Sequence, residues 1–152
     1  MAVDDVDVAA AWEGLNSGPC SRLVDVRTRA EWTYVAIPDL GPIGKRAVLV
    51  EWQTFPDQTV DARFVERLGG ELKALGVQLH DDLYFICRSG SRSLAAARAM
   101  SEAGYQSCHN VAVGFEGPLN DLRHRGTPWW MESDRSPLAA RLAREDLPQG
   151  RS

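Results

Sequence analysis

The sequence predicts an α/β fold, a single domain built on a parallel sheet with helices on both faces, and three observations predict it. Short apolar runs such as Leu23-Val24-Asp25-Val26 and Leu83-Tyr84-Phe85-Ile86 have the length and residue types of buried strands. Segments with apolar residues at helical spacing, such as Phe64, Leu68, Leu72 and Leu75, alternate with those runs. Turn-forming Gly and Pro residues punctuate the joints. At 152 residues the chain has room for one domain with a full core.

In chain order, Val8 to Leu15 has a short helical pattern that Asn16-Ser17-Gly18-Pro19 ends. Arg22 to Val26 reads as a buried strand. Thr28 to Tyr34 predicts a helical turn, with Thr28 as cap and Glu31 at the spacing of a capping box. Pro38, Gly41, Pro42 and Gly44 mark an extended loop, and Ala47 to Val50 is a further strand. The Phe64–Leu75 helix carries Gly69-Gly70 in its middle, which weakens it. Leu83 to Ile86 is the next strand. A helix over 94–103 follows, with Ala96, Ala99, Met100 and Ala103 on its apolar face, Ser91 or Ser93 as its cap and Gly104 at its C-terminal end. Ser107 to Val113 is the last strand. Ser136-Pro137 is a good helix start for a short segment in which Leu138 and Leu142 share one face. Such a helix is too short to stand alone, so it is expected to dock on its own domain or on a second copy.

Composition excludes several classes. A net charge of -4 argues against a sequence-independent nucleic-acid binder. The acidic start, Met1-Ala2-Val3-Asp4-Asp5, lacks the basic and apolar regions of a secretory signal, and no apolar run is long enough to cross a bilayer. Cys20, Cys87 and Cys108 are odd in number and widely spaced, which fits neither a disulfide framework nor a paired metal motif. A reducing, cytoplasmic setting is expected. His80, His109 and His124 lack metal-ligand spacing and are expected at the surface or in packing.

The chemistry points to Cys87-Arg88-Ser89-Gly90-Ser91-Arg92-Ser93. An isolated cysteine at a strand end is usually a small hydrophobe in a core. Here, however, a strand delivers the cysteine into a short polar loop and a helix begins at once. Amides of such a loop and first helical turn have no intrahelical partner and can converge on an anion. The helix dipole and the charges of Arg88 and Arg92 add to that field. Together they stabilise negative charge on sulfur, and the thiolate is the nucleophile. Cys108, within a predicted strand, is expected to be buried packing, and Cys20 is left without a role. Asp25 and Arg27 are expected to pair structurally at a strand end.

At this point the chain resembles the single-domain rhodaneses. Leu23-Val24-Asp25-Val26-Arg27 with Glu31-Trp32 is similar to that family's early block, Cys87 to Ser93 to the active loops of bacterial members, and Gly104-Tyr105 with Asn110-Val111 through Gly114-Phe115 to its closing block. The likeness spans about 10–126 and leaves 127–152 as a C-terminal extension. The chain departs from the family's usual pattern at Val35-Ala36-Ile37-Pro38-Asp39-Leu40, where the histidine is absent, and at Phe115, where a second glycine is usual.

The resemblance implies a sulfurtransferase that moves sulfane sulfur from thiosulfate or another persulfide donor to a thiophilic acceptor through a persulfide on Cys87. Arg88, Ser89, Gly90, Ser91, Arg92 and Ser93 would bind the anionic donor. It implies no organic cofactor or metal, a small-molecule donor with a thiol or protein acceptor as partners, and a monomer or homodimer. Two alternatives remain open. One is a non-catalytic interaction or sulfur-sensing module on the same fold. The other is a cysteine-dependent phosphatase or arsenate reductase, against which the loop argues: four residues separate Cys87 from Arg92, one fewer than such enzymes use to wrap an oxyanion.

Overall fold

A computed structural model describes residues 3–34, 37–38, 40, 44–53, 60–87, 90–112 and 140–141. Its main element is a five-stranded, all-parallel sheet formed by β1 (Asp4–Val6), β2 (Arg22–Asp25), β4 (Val48–Leu49), β5 (Asp82–Ile86) and β6 (Ser107–Val111), in the order β1-β6-β5-β2-β4. The helices are α1 (Val8–Ser17), α2 (Arg29–Tyr34), α3 (Phe64–Ala74) and α4 (Ser91–Glu102). Among the described residues, no helix is long and apolar enough to cross a membrane.

The two-residue period of a strand divides the core into two layers. On β5, Leu83 and Phe85 join Val24 and Val26 of the β2 segment in one cluster, where Phe64, Leu68 and Leu72 of α3 and Ala96, Ala97 and Met100 of α4 cover the sheet. Tyr84 and Ile86 face the other way and pack with Leu23, Val111 and the Ala11 and Leu15 positions of α1. Helices therefore cover both faces, as the strand–helix alternation predicts. Cys87 continues the Leu83–Phe85 alternation, which turns its side chain toward the α4 layer.

Several local expectations are corrected. The acidic start forms the edge strand β1, paired with β6 through Asp4↔His109, Asp5↔Asn110 and Val6↔Val111. Leu75 lies just past the last turn of α3, where the chain leaves the buried face, and is 46% exposed. On α4 the buried alanine after Ala96 is Ala97, and Ala103 is exposed. Neither Ser91 nor Ser93 caps α4; the N-cap is Gly90. Its φ of +106° suits glycine, and a Cβ there would come within 2.2 Å of the Ala112 carbonyl oxygen. Pro38, expected in a loop, forms with Ile37 a short strand β3 (Ile37–Pro38), antiparallel to β7 (Ala140–Arg141). The chain is thus extended at 140–141, not helical, because its backbone pairs with β3 there. The rest of the expected tail helix, His124 and the Gly114-Phe115 block lie outside the described residues.

The expected capping box is present. Thr28 Oγ1 accepts from Glu31 N–H at 3.2 Å, and Glu31 Oε1 accepts from Thr28 N–H at 3.0 Å. The same carboxylate forms a two-pronged ion pair with Arg92 of α4, at 2.7 and 2.9 Å, and so ties α2 to α4. Burial pushes the Glu31 carboxyl up, but hydrogen bonds from Arg92 and Thr28 and the charges of Arg92 and Arg27 outweigh it and hold the group at about 2.

Two stability predictions follow from these contacts. Gly90→Ala is expected to destabilise the fold by about 1–3 kcal/mol in denaturant melts, because positive φ and the Ala112 contact both strain it. Gly70→Ala, on an open helical position with nothing near its Cβ, is expected to stabilise by up to about 1 kcal/mol; equal effects at the two sites would refute this account of Gly90. Because the folded Glu31 pKa lies below its ordinary 4.5, the stability it contributes is full above that value and fades as pH falls toward about 2. The stability gap between the unmodified protein and Glu31→Gln should therefore narrow over that range; a gap independent of pH would exclude the linkage.

Candidate active site

The site sits at the carboxyl ends of the central strands. From β5 the chain runs through α4 to β6 on one side, and from β2 it runs to β4 on the other, so the crevice between β2 and β5 is where connections diverge. Val26 N–H donates to the Ile86 carbonyl at 3.0 Å, which extends the β2–β5 pairing to the residue before Cys87.

Three groups of the α4 start meet the Cys87 sulfur. Gly90 N–H lies 3.1 Å and Ser93 N–H 3.3 Å from Sγ, each donating to it, and Ser93 Oγ lies 3.3 Å away. Cys87 is 1% exposed and Ser93 fully buried. Amides at a helix N-terminus lack helical partners, and here two of them are spent on sulfur. The helix dipole places its positive end at the same point.

Charges of alternating sign line the crevice. Asp25 and Arg27 form a fully buried ion pair, with Arg27 Nε 2.9 Å from Asp25 Oδ1 and Nη2 2.7 Å from Oδ2. This is the structural pairing expected of them. Glu31 and Arg92 follow. The hydrogen bond and charge of Glu31 raise the Arg92 pKa against the opposing effect of burial, and Cys87 and Asp25 add to the rise. Glu51 accepts from the Arg29 backbone N–H at 2.8 Å and closes the start of α2.

Of the loop residues singled out by sequence, Cys87, Gly90 and Ser93 converge. Ser91 is exposed at the first helical position, Arg92 is turned to Glu31, and Arg88 and Ser89 lie outside the described residues. Sequence reasoning missed Asn110 and Asp5. Asn110 Oδ1 accepts from Ser93 Oγ–H at 2.5 Å, and its Nδ2 donates to the Gly90 carbonyl at 3.2 Å and to Asp5 Oδ1 at 3.0 Å. A polar residue in the middle of a buried strand was the available signal for Asn110; Asp5 had none.

The other titratable groups stay apart. Cys108 is buried, and burial pushes its thiol up to about 11. It stands opposite Leu83, four positions from Cys87, roughly 13 Å at the usual strand rise. That spacing removes it as a partner for the Cys87 sulfur. His109 stacks on Tyr84 with ring centroids 4.7 Å apart and reaches Asp4 and Asp82 with its two ring nitrogens, a packing role. Cys20 is partly exposed and has no contact with the site among the described residues.

Comparison with known proteins agrees with this fold. The model of the Rhodanese-like domain matches residues 7–120. The chain is 34% identical to the uncharacterized protein RC0915 of Rickettsia conorii over 131 residues, 85% of this chain and 98% of that protein. It is 35% identical over the same length to the uncharacterized RP600 homolog of Rickettsia rickettsii, with the same coverage. The crystal structure of Rv0390 from M. tuberculosis superposes with a TM-score of 0.78 at 38% identity, covering 93% of this chain and 99% of that one. The polysulfide-sulfur transferase homodimer of Wolinella succinogenes shares the fold, with a TM-score of 0.50 at 18% identity over 74% of this chain and 69% of that one. With the Cys87 loop at the end of a central parallel strand and the domain match spanning most of its length, the chain belongs to the rhodanese-like domain family.

Proposed function

We propose that this protein is a sulfurtransferase that carries sulfane sulfur on Cys87, taking it from thiosulfate or another persulfide donor and passing it to a thiophilic acceptor. The observation that carries the reading is the convergence of Gly90 N–H, Ser93 N–H and Ser93 Oγ on one sulfur at the positive end of α4. The two amides stabilise negative charge on Sγ, which the first half of the reaction consumes and the second half restores.

In the first half, the Cys87 thiolate attacks the outer sulfur of thiosulfate. A new S–S bond forms, the old one breaks, and its electron pair leaves on sulfite. In the second half, the acceptor attacks the outer sulfur of the persulfide, and the electron pair of the broken S–S bond returns to Cys87. With Cys87 and the acceptor both reacting as anions, no proton changes hands in either half, so no general base is required. The chemistry calls for no metal or organic cofactor. Partners are a small anionic donor and a thiol or protein acceptor.

Arg88, Ser89, Gly90, Ser91, Arg92 and Ser93 form the donor-binding loop in this reading. Arg92 contributes a charge whose direction Glu31 fixes, rather than a free fork. That engagement also weighs against the phosphatase alternative, which needs the arginine fork for the oxyanion.

Incubation with thiosulfate is expected to add one sulfur to the intact mass, on the Cys87 peptide, and Cys87→Ser is expected to abolish both the gain and thiocyanate production from cyanide. A protein that gains no sulfur while folded would instead be an interaction or sensing module. Arg92→Ala is expected to lower kcat/KM for thiosulfate by about 1–3 kcal/mol. Arg92→Lys, which keeps the charge and loses the fork, should fall between it and the unmodified protein. An Arg92→Ala variant with unchanged turnover would remove Arg92 from the donor site.

A further inference from the structure

The side chains behind Ser93 form a line from the sulfur to the sheet edge. Ser93 Oγ carries one hydrogen and faces three groups: Asn110 Oδ1 at 2.5 Å, the Gly90 carbonyl at 3.2 Å and Cys87 Sγ at 3.3 Å. The orientation of the Asn110 amide is forced. Its Nδ2 faces a carboxylate and a carbonyl, Asp5 Oδ1 and Gly90 O, and neither can donate, so the NH₂ must lie there and the oxygen must face Ser93. Asn110 is buried, with 3% of its surface exposed. Asp5 stands directly opposite it in the β1–β6 register.

We propose that Asp5 and Asn110 are positioning residues that control where the Ser93 hydrogen points, and so act on the Cys87 sulfur through Ser93. This rests on the reading of Cys87 as the nucleophile and adds a device to it. While Sγ is neutral, as a thiol or as the inner sulfur of a persulfide, the hydroxyl hydrogen stays on Asn110 Oδ1. When the acceptor takes the outer sulfur, the S–S electron pair returns to Sγ, and the new negative charge draws the same hydrogen across. The hydroxyl turns about its Cβ–Oγ bond, and no proton changes owner. A third donor thus reaches sulfur when charge appears there, while the amides of Gly90 and Ser93 are present throughout. Asp5 keeps this competition in place by holding the amide with its oxygen toward Ser93.

Alkylation of the Cys87 peptide by iodoacetamide at neutral pH, followed by mass spectrometry, reads the sulfur without requiring sulfur transfer. With one of the two acceptors on Asn110 Nδ2 removed, the amide is held less firmly, the hydrogen is drawn to sulfur more easily and the thiolate gains. Asp5→Ala is therefore expected to speed alkylation by about threefold or more, the scale of coupling within one hydrogen-bond network. Asp5→Asn keeps an acceptor for Asn110 Nδ2 and is expected to restore the original rate. In a Ser93→Ala background, Asp5→Ala is expected to change nothing. Loosening of β1 alone would act in both backgrounds, so equal acceleration in the two overturns the proposal. An unchanged rate in Asp5→Ala, or Asp5→Asn behaving as Asp5→Ala, also overturns it. If the expected pattern holds while the unmodified protein takes no sulfur from thiosulfate, the positioning role stands and the transfer reading falls.

Discussion

On the proposed reading, a sulfur atom that has to carry negative charge while shielded from water is the constraint on which the rest of this structure depends. Burying an unpaired charge is costly, and the cost falls only when hydrogen-bond donors are fixed around it beforehand. The fold supplies them by ending β5 at Ile86 and starting α4 at Ser91, so that amides with no helical partner lie over Sγ. Gly90 makes the short connection possible, since a side chain there would meet the Ala112 carbonyl. The core layer between them then holds β5 and α4 together through Phe85, Ala96, Ala97 and Met100.

The charges around the crevice answer the same constraint at longer range. Arg27 is fully buried and Arg92 partly so, and unpaired guanidinium groups there would repel each other and lose hydration. Asp25 and Glu31 offset that cost by pairing with them through two-pronged hydrogen bonds. Each pair is neutral as a whole, and the Glu31–Arg92 pair ties α2 to α4.

Much of this was legible in the sequence. The runs around Val24 and Phe85 have strand length, Thr28 and Glu31 have capping-box spacing, and Gly104 lies where a helix-ending glycine belongs; each feature is local, so its signal is local. What escaped is non-local. Asp4–Val6 has no apolar run to mark a strand and is one only because β6 offers an edge. Ser93 has good capping chemistry, but tertiary contacts to Sγ and Asn110 claim its side chain and leave the N-cap to Gly90. Arg92 reads as a free charge until α2 folds beside it. The extended pairing at 140–141 was hidden for the same reason, since its partner lies about a hundred residues earlier.

The β1–β6 contact also orders events during synthesis. Asp5 leaves the ribosome well before the amide it holds, which is 105 positions later. Closing so long a loop costs entropy that short-range contacts do not meet. The β5–α4 unit, in contrast, contains its cysteine, its glycine turn and both amides within a few residues of one another. A growing chain therefore assembles the sulfur's amide cradle from neighbouring residues, and adds the brace behind Ser93 only when β1 and the later strand β6 meet.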